Sequence, residues 1–199
     1  YYLQGEKLLK EGKTNEAKQM YNKVKEFKHA FCWNPKGWYF NICEAAQDRL
    51  DTMGTKYDFG DYSSQTLTAK AWQCLADKDY FGLSLYTAKC IKLFKKEALK
   101  MEKSFKKNPA MKKGPENWAL NDVAACYYIL GRGNEDTKND QNAKKMYEQC
   151  AKLSHAVCLD PQGWYFKVAE VAQDKLALWG TPYSYGDYRS VTLTNKAWQ

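Results

Sequence analysis

Two short words in this chain carry side chains capable of chemistry. His29-Ala30-Phe31-Cys32 recurs as His155-Ala156-Val157-Cys158, and these hold both histidines of the sequence. On a helix, an imidazole and a thiol three residues apart share a face and supply half of a tetrahedral metal site. The other half has no obvious source, since only Glu26 and Asp160 stand close by in sequence. The pattern therefore reads as two helix C-termini, where His suits the dipole and Cys belongs to the core. Neither a metal nor a cofactor is expected.

The second word is Tyr57-Asp58-Phe59-Gly60-Asp61-Tyr62, repeated as Tyr183-Ser184-Tyr185-Gly186-Asp187-Tyr188. Aromatic faces beside a carboxylate suit a sugar or a protein ligand. Tyr57, Phe59, Asp61 and Tyr62, with Tyr183, Tyr185, Asp187 and Tyr188, are thus candidate recognition loops. The competing reading is an Ω-type loop whose rings pack inward while Asp61 or Asp187 caps the next helix.

Lys92 to Gly114 holds nine lysines against two glutamates, most of the net charge of +8. A basic amphipathic helix can meet acidic protein, anionic lipid or nucleic acid, but a solvated helix face has the same composition. Only Arg49, Arg132 and Arg189 are arginines, which argues against bidentate reading of bases. Hydrolase, nucleotide-binding and metalloprotease signatures are absent, so no enzyme is expected. The seven cysteines, Cys32, Cys43, Cys74, Cys90, Cys126, Cys150 and Cys158, form no CxxC pair and read mostly as small buried hydrophobes.

These words sit in an internal repeat. Residues 29–73 align without a gap on 155–199, identical at 27 of 45 positions. The match runs back to Tyr1, so residue n pairs with n+126. The 199 residues thus read as a single helical repeat array, with 1–126 the first full period and 127–199 a partial second period copying 1–73. With 44% hydrophobic and 15% aromatic residues, such an array has material for a core. No apolar run approaches the ~18 residues of a membrane span.

Apolar spacing predicts helices at about 1–12, 14–30, 36–53 (opened by Pro35, closed by Gly54), 66–76, 79–106, from Asn117 onward, and 161–179. The long helix carries the stripe Leu83, Cys90, Phe94, Ala98, Met101 and Phe105. No strand is expected, and Trp38/Trp164 and Phe40/Phe166 should make equivalent contacts in the two copies.

Ala71, Trp72, Leu75, Asp79, Tyr80, Thr87, Cys90 and Phe94 form one ordered set. Trp118, Tyr128, Gly131, Ala143 and Tyr147 form another, echoed at Gly5, Gly12, Ala17 and Tyr21. These segments resemble tetratricopeptide repeats, in which small residues let paired helices approach and aromatics fill the gap to the next pair. The resemblance covers about two-thirds of the chain, while the 161–179 segment and the YGDY loops lie outside it. It implies an all-α, right-handed helical-hairpin solenoid without a sheet, engaged in protein–protein interaction.

Both ends read as open. Tyr1, Tyr2 and Leu3 at one end and Leu193, Ala197 and Trp198 at the other are apolar where array caps are ordinarily polar. The expectation is head-to-tail self-association, as a structural filament subunit of exported or cell-surface character. The alternative is a soluble adaptor that binds a protein or peptide.

Overall fold

The structure, a computed structural model, describes residues 1–34, 38–105, 116–159 and 165–182. Two compact units divide at Phe59–Gly60. Among the described residues the protein is mostly helical, with eight α-helices and two small antiparallel strand pairs. No helix of these residues is long and apolar enough to cross a membrane.

The first unit begins with α1 (Tyr2–Lys10) and α2 (Thr14–Val24), joined at Gly12, whose φ of 74° favours a residue without a Cβ. β1 (Phe31–Asn34) and β2 (Trp38–Asn41) follow, then α3 (Ile42–Thr52). Ala17, Tyr21, Val24 and Ala46 form the centre of its core, flanked by Tyr2, Leu8, Leu9, Ile42, Leu50 and Met53.

The second unit contains α4 (Ser64–Ala76), α5 (Tyr80–Ser104), α6 (Trp118–Asp136), α7 (Asp140–Ala151), β3 (Cys158–Leu159), β4 (Tyr165–Phe166) and α8 (Val168–Ala177). Local signals start two of these helices. The Ser63 hydroxyl accepts from Thr66 N at α4, and the Asp79 carboxylate accepts from Gly82 N at α5. The core runs through Leu67 and Ala71, Leu83, Cys90, Phe94 and Ala98, Leu120, Val123 and Ile129, then Ala143, Tyr147 and Cys150. Of the stripe expected on α5, Met101 and Phe105 are only half-buried.

The two strand pairs correct the expectation of a chain without a sheet. Cys32 pairs with Phe40 and Trp33 with Tyr39; 126 residues on, Cys158 pairs with Phe166 and Leu159 with Tyr165. Consecutive aromatics favour a pleated strand, and Pro35 biases Asn34 toward extended backbone. Strands flank the expected helix start, and Pro35 itself lies outside the described residues. The helix expected at 36–53 begins at Ile42, where Asn41 Oδ1 accepts from Cys43 N at 2.9 Å and Glu44 N at 3.0 Å. Similarly, the helix expected to 30 stops at Val24, and the one expected over 161–179 covers Val168–Ala177.

The unit boundary does not coincide with the period boundary at 126/127. Cys126 and Tyr127 lie inside the continuous helix α6, because a repeat's starting point is arbitrary along a periodic chain. The repeat is nevertheless visible in the elements. α1, α2, the first hairpin and α3 correspond to the end of α6, α7, the second hairpin and α8.

Candidate functional site

Each copy of the repeat is pinned by one tyrosine. In the first unit Tyr21 is fully buried and lies against Gly5, where an added Cβ would come within 2.7 Å of its ring. Its hydroxyl donates to Glu6 Oε1 at 2.8 Å, and Arg49 holds both Glu6 oxygens at 2.7 and 3.0 Å. α1, α2 and α3 are therefore tied at one point. Burial, reinforced by Glu6, pushes the Tyr21 phenol well above its ordinary range, so it stays a donor.

The second unit rebuilds this tie with different residues. Tyr147 packs on Gly131, donates to Glu135 Oε2 at 2.6 Å, and Lys175 reaches the same carboxylate at 3.1 and 3.2 Å. Repeat alignment pairs Glu6 with Arg132 and Leu9 with Glu135, so the carboxylate has moved three residues, about one helical turn. The tie is thus a conclusion of three-dimensional position.

On this shared frame the two copies also differ in which side chains are exposed. Leu3 is 81% exposed, whereas its counterpart Ile129 is 0% exposed; Phe31 is 65% exposed and Val157 only 2%. Tyr1 and Phe27 are likewise exposed, and Tyr127 and Leu153 buried. The Tyr1 and Phe27 rings lie tilted with centroids 6.2 Å apart, an exposed aromatic pair between the start of α1 and the segment that follows α2.

In the second unit, α5 covers much of the corresponding face. Lys95 Nζ stands 6.0 Å above the Tyr127 ring, and Leu83 and Tyr80 pack where a Cβ on Gly133 would point. The Tyr80 hydroxyl donates to Asp136 at 3.4 Å. At the far end of α5, the Glu102 carboxylate accepts from Ser154 N and Oγ at 3.0 and 2.8 Å and from His155 N at 3.2 Å. It also meets His155 Nδ1 at 2.8 Å, and Phe105 stacks on the imidazole at 5.1 Å. The α6 side chain Asn121 then accepts from Val157 N at 2.9 Å.

A cavity of about 430 Å³ opens in the second unit between α4, α6 and the β3–β4 hairpin. Trp72, Trp118 and Tyr165 give it aromatic walls, and Asn121, Asp122 and Gln65 supply polar groups. The Ser64 hydroxyl donates to Asp122 Oδ2 in a short contact. Burial pushes the Asp122 carboxyl up to about 6, against the lowering effect of that hydrogen bond. Behind it, the Thr68 hydroxyl meets Cys126 Sγ at 3.4 Å and Cys90 Sγ at 3.7 Å. Burial also raises the Cys126 thiol. Such walls suit an apolar or cationic side chain of a peptide.

The sequence-derived candidates fall in different places. Neither His nor Cys of the HAxC words is on a helix: His29 is exposed in a turn, His155 is held by Glu102, and Cys32 and Cys158 are strand residues. The shared helical face needed for two metal ligands is therefore missing. Among the described residues no three His, Cys, Asp or Glu side chains cluster as metal ligands. In the first loop Phe59 and Tyr62 are buried, and Tyr57 and Asp61 are half-buried. The Asp61 carboxylate accepts from Ser63 N at 3.0 Å and Oγ at 2.7 Å, orienting the residue that caps α4.

Tyr1 and Leu3 are exposed and Tyr2 half-buried, its ring 5.7 Å from Tyr21. Trp164, Tyr183, Tyr185, Asp187, Tyr188, Leu193, Ala197 and Trp198 lie outside the described residues, as do Lys106, Lys107, Lys112 and Lys113 of the basic stretch; of Trp38 only the backbone is described. Sequence reasoning passed over Phe27 and did not single out Phe31 or Glu102. For Phe27 and Phe31 the repeat alignment is the signal, once the burial of the second copy is known; Glu102 has no counterpart in the repeat. Comparison with known proteins finds no match to any family model, curated protein or solved structure.

Proposed function

We propose that this chain is a non-catalytic helical-repeat protein, tetratricopeptide-like in its paired helices, whose work is protein docking through the uncovered face of its first copy. One observation carries the reading. Tyr1, Leu3, Phe27 and Phe31 are solvent-exposed on a frame whose second copy buries all four counterparts. Leaving a large apolar side chain wet forgoes about 1.5–3 kcal/mol. Large apolar side chains exposed on one unit mark a candidate binding surface.

A second reading, head-to-tail association into an extended fibre, is favoured by the repeat itself. Trp72 packs on Tyr128 at 6.0 Å. Trp198 is the repeat counterpart of Trp72 and Tyr2 that of Tyr128, so the same aromatic pair is available between two copies of this sequence. Such a contact is heterologous and propagates unless it closes a ring.

Light scattering across a concentration series separates the readings. For a docking protein the mass stays at that of one chain, while Leu3→Glu with Phe31→Glu leaves helix content intact and lowers binding of apolar dyes. Growth of mass with concentration, abolished by Trp198→Ala with Tyr2→Ala, replaces docking by the fibre. A monomer whose dye binding is unchanged by the glutamate pair removes the face from the account.

A further inference from the structure

The cavity of the second unit holds a carboxyl that its surroundings do not neutralise. Asp122 is the one acidic residue of the lining, and among the described residues no lysine, arginine or histidine lines it. That is a local inversion in a chain with 31 Lys and Arg and a net charge of +8. Among the described residues the Asp122 side chain accepts only from the Ser64 hydroxyl, at Oδ2, which leaves Oδ1 without a donor.

Three aromatic rings from three elements border the same space. Trp72 on α4 and Trp118 on α6 are 37% and 43% exposed, and both are held from behind. Trp72 lies 6.0 Å from Tyr128, and Trp118 meets Phe94 edge-on at 5.5 Å. Tyr165 comes from β4, where it pairs with Leu159. Aromatic faces attract cations, most strongly where water is excluded, and indole does so best. The volume of about 430 Å³ lies within the range of small-molecule sites, ~300–1,000 Å³.

The lining also selects among cations. A primary ammonium brings three N–H donors, each needing an acceptor. Asn121 Oδ1 already accepts from Val157 N. The Thr68 hydroxyl is turned to the Asp122 carbonyl and to the Cys90 and Cys126 sulfurs. A buried donor left without a partner is costly, whereas methyl groups on the nitrogen remove the donors and pack on the rings.

We propose that this cavity binds an alkylated ammonium ion, a trimethylammonium group above all, with its charge opposite Asp122 and its methyl groups against Trp72, Trp118 and Tyr165. The lining residues all belong to the second unit and none belongs to the docking face of the first copy, so either reading can fail without the other. Asp122 attracts the cation only when ionised, and burial lifts its pKa to about 6. Ser64 and Thr68 on α4 carry no charge. The thiols that its charge reaches, Cys126 on α6 and Cys158 on β3, are raised by burial and stay neutral, and Cys90 on α5 lies beyond Thr68. Affinity therefore falls by about tenfold between pH 7 and pH 5, as the ionised fraction does.

The test is an NMR titration of the full chain with choline, with ethanolamine, and with the neutral isostere dimethylbutanol, in which carbon replaces the nitrogen. At pH 7 choline is expected to bind at least about tenfold more tightly than either. Asp122→Asn, which keeps the acceptor for Ser64, should remove most of that preference and the pH dependence with it. Trp118→Leu keeps an apolar wall without the indole and should weaken choline while leaving the isostere unchanged. Acetyl-trimethyllysine amide distinguishes the sources of the group: tighter binding than choline assigns it to a modified protein side chain, weaker binding to a free small cation. Binding of none of these probes, or choline bound no more tightly than the isostere, overturns the cation site. Choline affinity indifferent to Asp122→Asn or to pH places the charge elsewhere and overturns it as well. Ethanolamine bound as tightly as choline overturns the alkylated class.

Discussion

Asp122 shows how one buried carboxyl can set a pH dependence. Its folded-state pKa lies near 6 against an ordinary carboxylate value near 3.8, because burial disfavours the charge more than the Ser64 hydroxyl compensates. From about pH 4 to about pH 6 the folded protein therefore keeps a proton that the unfolded chain releases. The contribution of Asp122 to stability falls as pH rises through that window and stays low above it. Asp122→Asn keeps the acceptor for Ser64 without the charge. The variant should be more stable than the parent at neutral pH by about 1–2 kcal/mol and nearly equal to it near pH 4, allowing for the cavity's contact with water. Urea midpoints at both ends of the window check this; an unchanged difference between them would place the carboxyl in ordinary solvent.

Packing of paired helices turns on two glycines in α6 with different neighbours. At Gly131 a methyl group would run into the Tyr147 ring, which cannot retreat because Glu135 holds its hydroxyl. At Gly133 the nearest atom is Leu83 Cδ1 at 3.0 Å, the end of a flexible side chain. Both positions gain about 1 kcal/mol of helix propensity on substitution by alanine. Overpacking opposes that gain by about 1–3 kcal/mol where the neighbour is fixed. Gly131→Ala should thus lower the thermal midpoint, as should Gly5→Ala against Tyr21, while Gly133→Ala should leave it unchanged or raise it. Calorimetry on the three variants reads the contrast directly.

Across the whole molecule the seven cysteines are free thiols, with Cys74, Cys90, Cys126 and Cys150 buried and Cys32, Cys43 and Cys158 half-buried. Burial pushes the Cys150 thiol up to about 12 and raises that of Cys158, with Cys150 and Asp122 adding to the effect there. Thiolate is the reactive form, so these residues are protected by packing and by proton affinity together. An alkylating reagent at neutral pH should label Cys32 and Cys43 first in the native protein, and Cys90, Cys126 and Cys150 only after denaturation. Mass spectrometry of the labelled peptides gives the order, and rapid native labelling of Cys90 or Cys126 would contradict the α4–α5–α6 core.

Periodicity made most helices legible, and the 126-residue repeat was plain from identity alone. Gly5, Tyr21, Gly131 and Tyr147 stood out by type, but that each tyrosine packs on the glycine of its own helix pair was decided by the structure. The hairpins were missed because Pro35 between aromatic runs serves equally as a helix start or as a break between strands, and only strand pairing decides. The candidate face was legible at Tyr1 and Leu3 as apolar residues, but identical spacing describes Tyr127 and Ile129, which are buried. What buries the second copy's side chains is α5 lying across them. That is a contact between residues 32 to 53 positions apart, as in Lys95 with Tyr127 and Glu102 with His155, and no local pattern encodes it. The sequence by itself determined the repeat and the helical frame, because those follow from neighbours along the chain. Only the tertiary structure decided that Tyr127 and Ile129 are buried, because burial depends on elements that meet after the chain has folded.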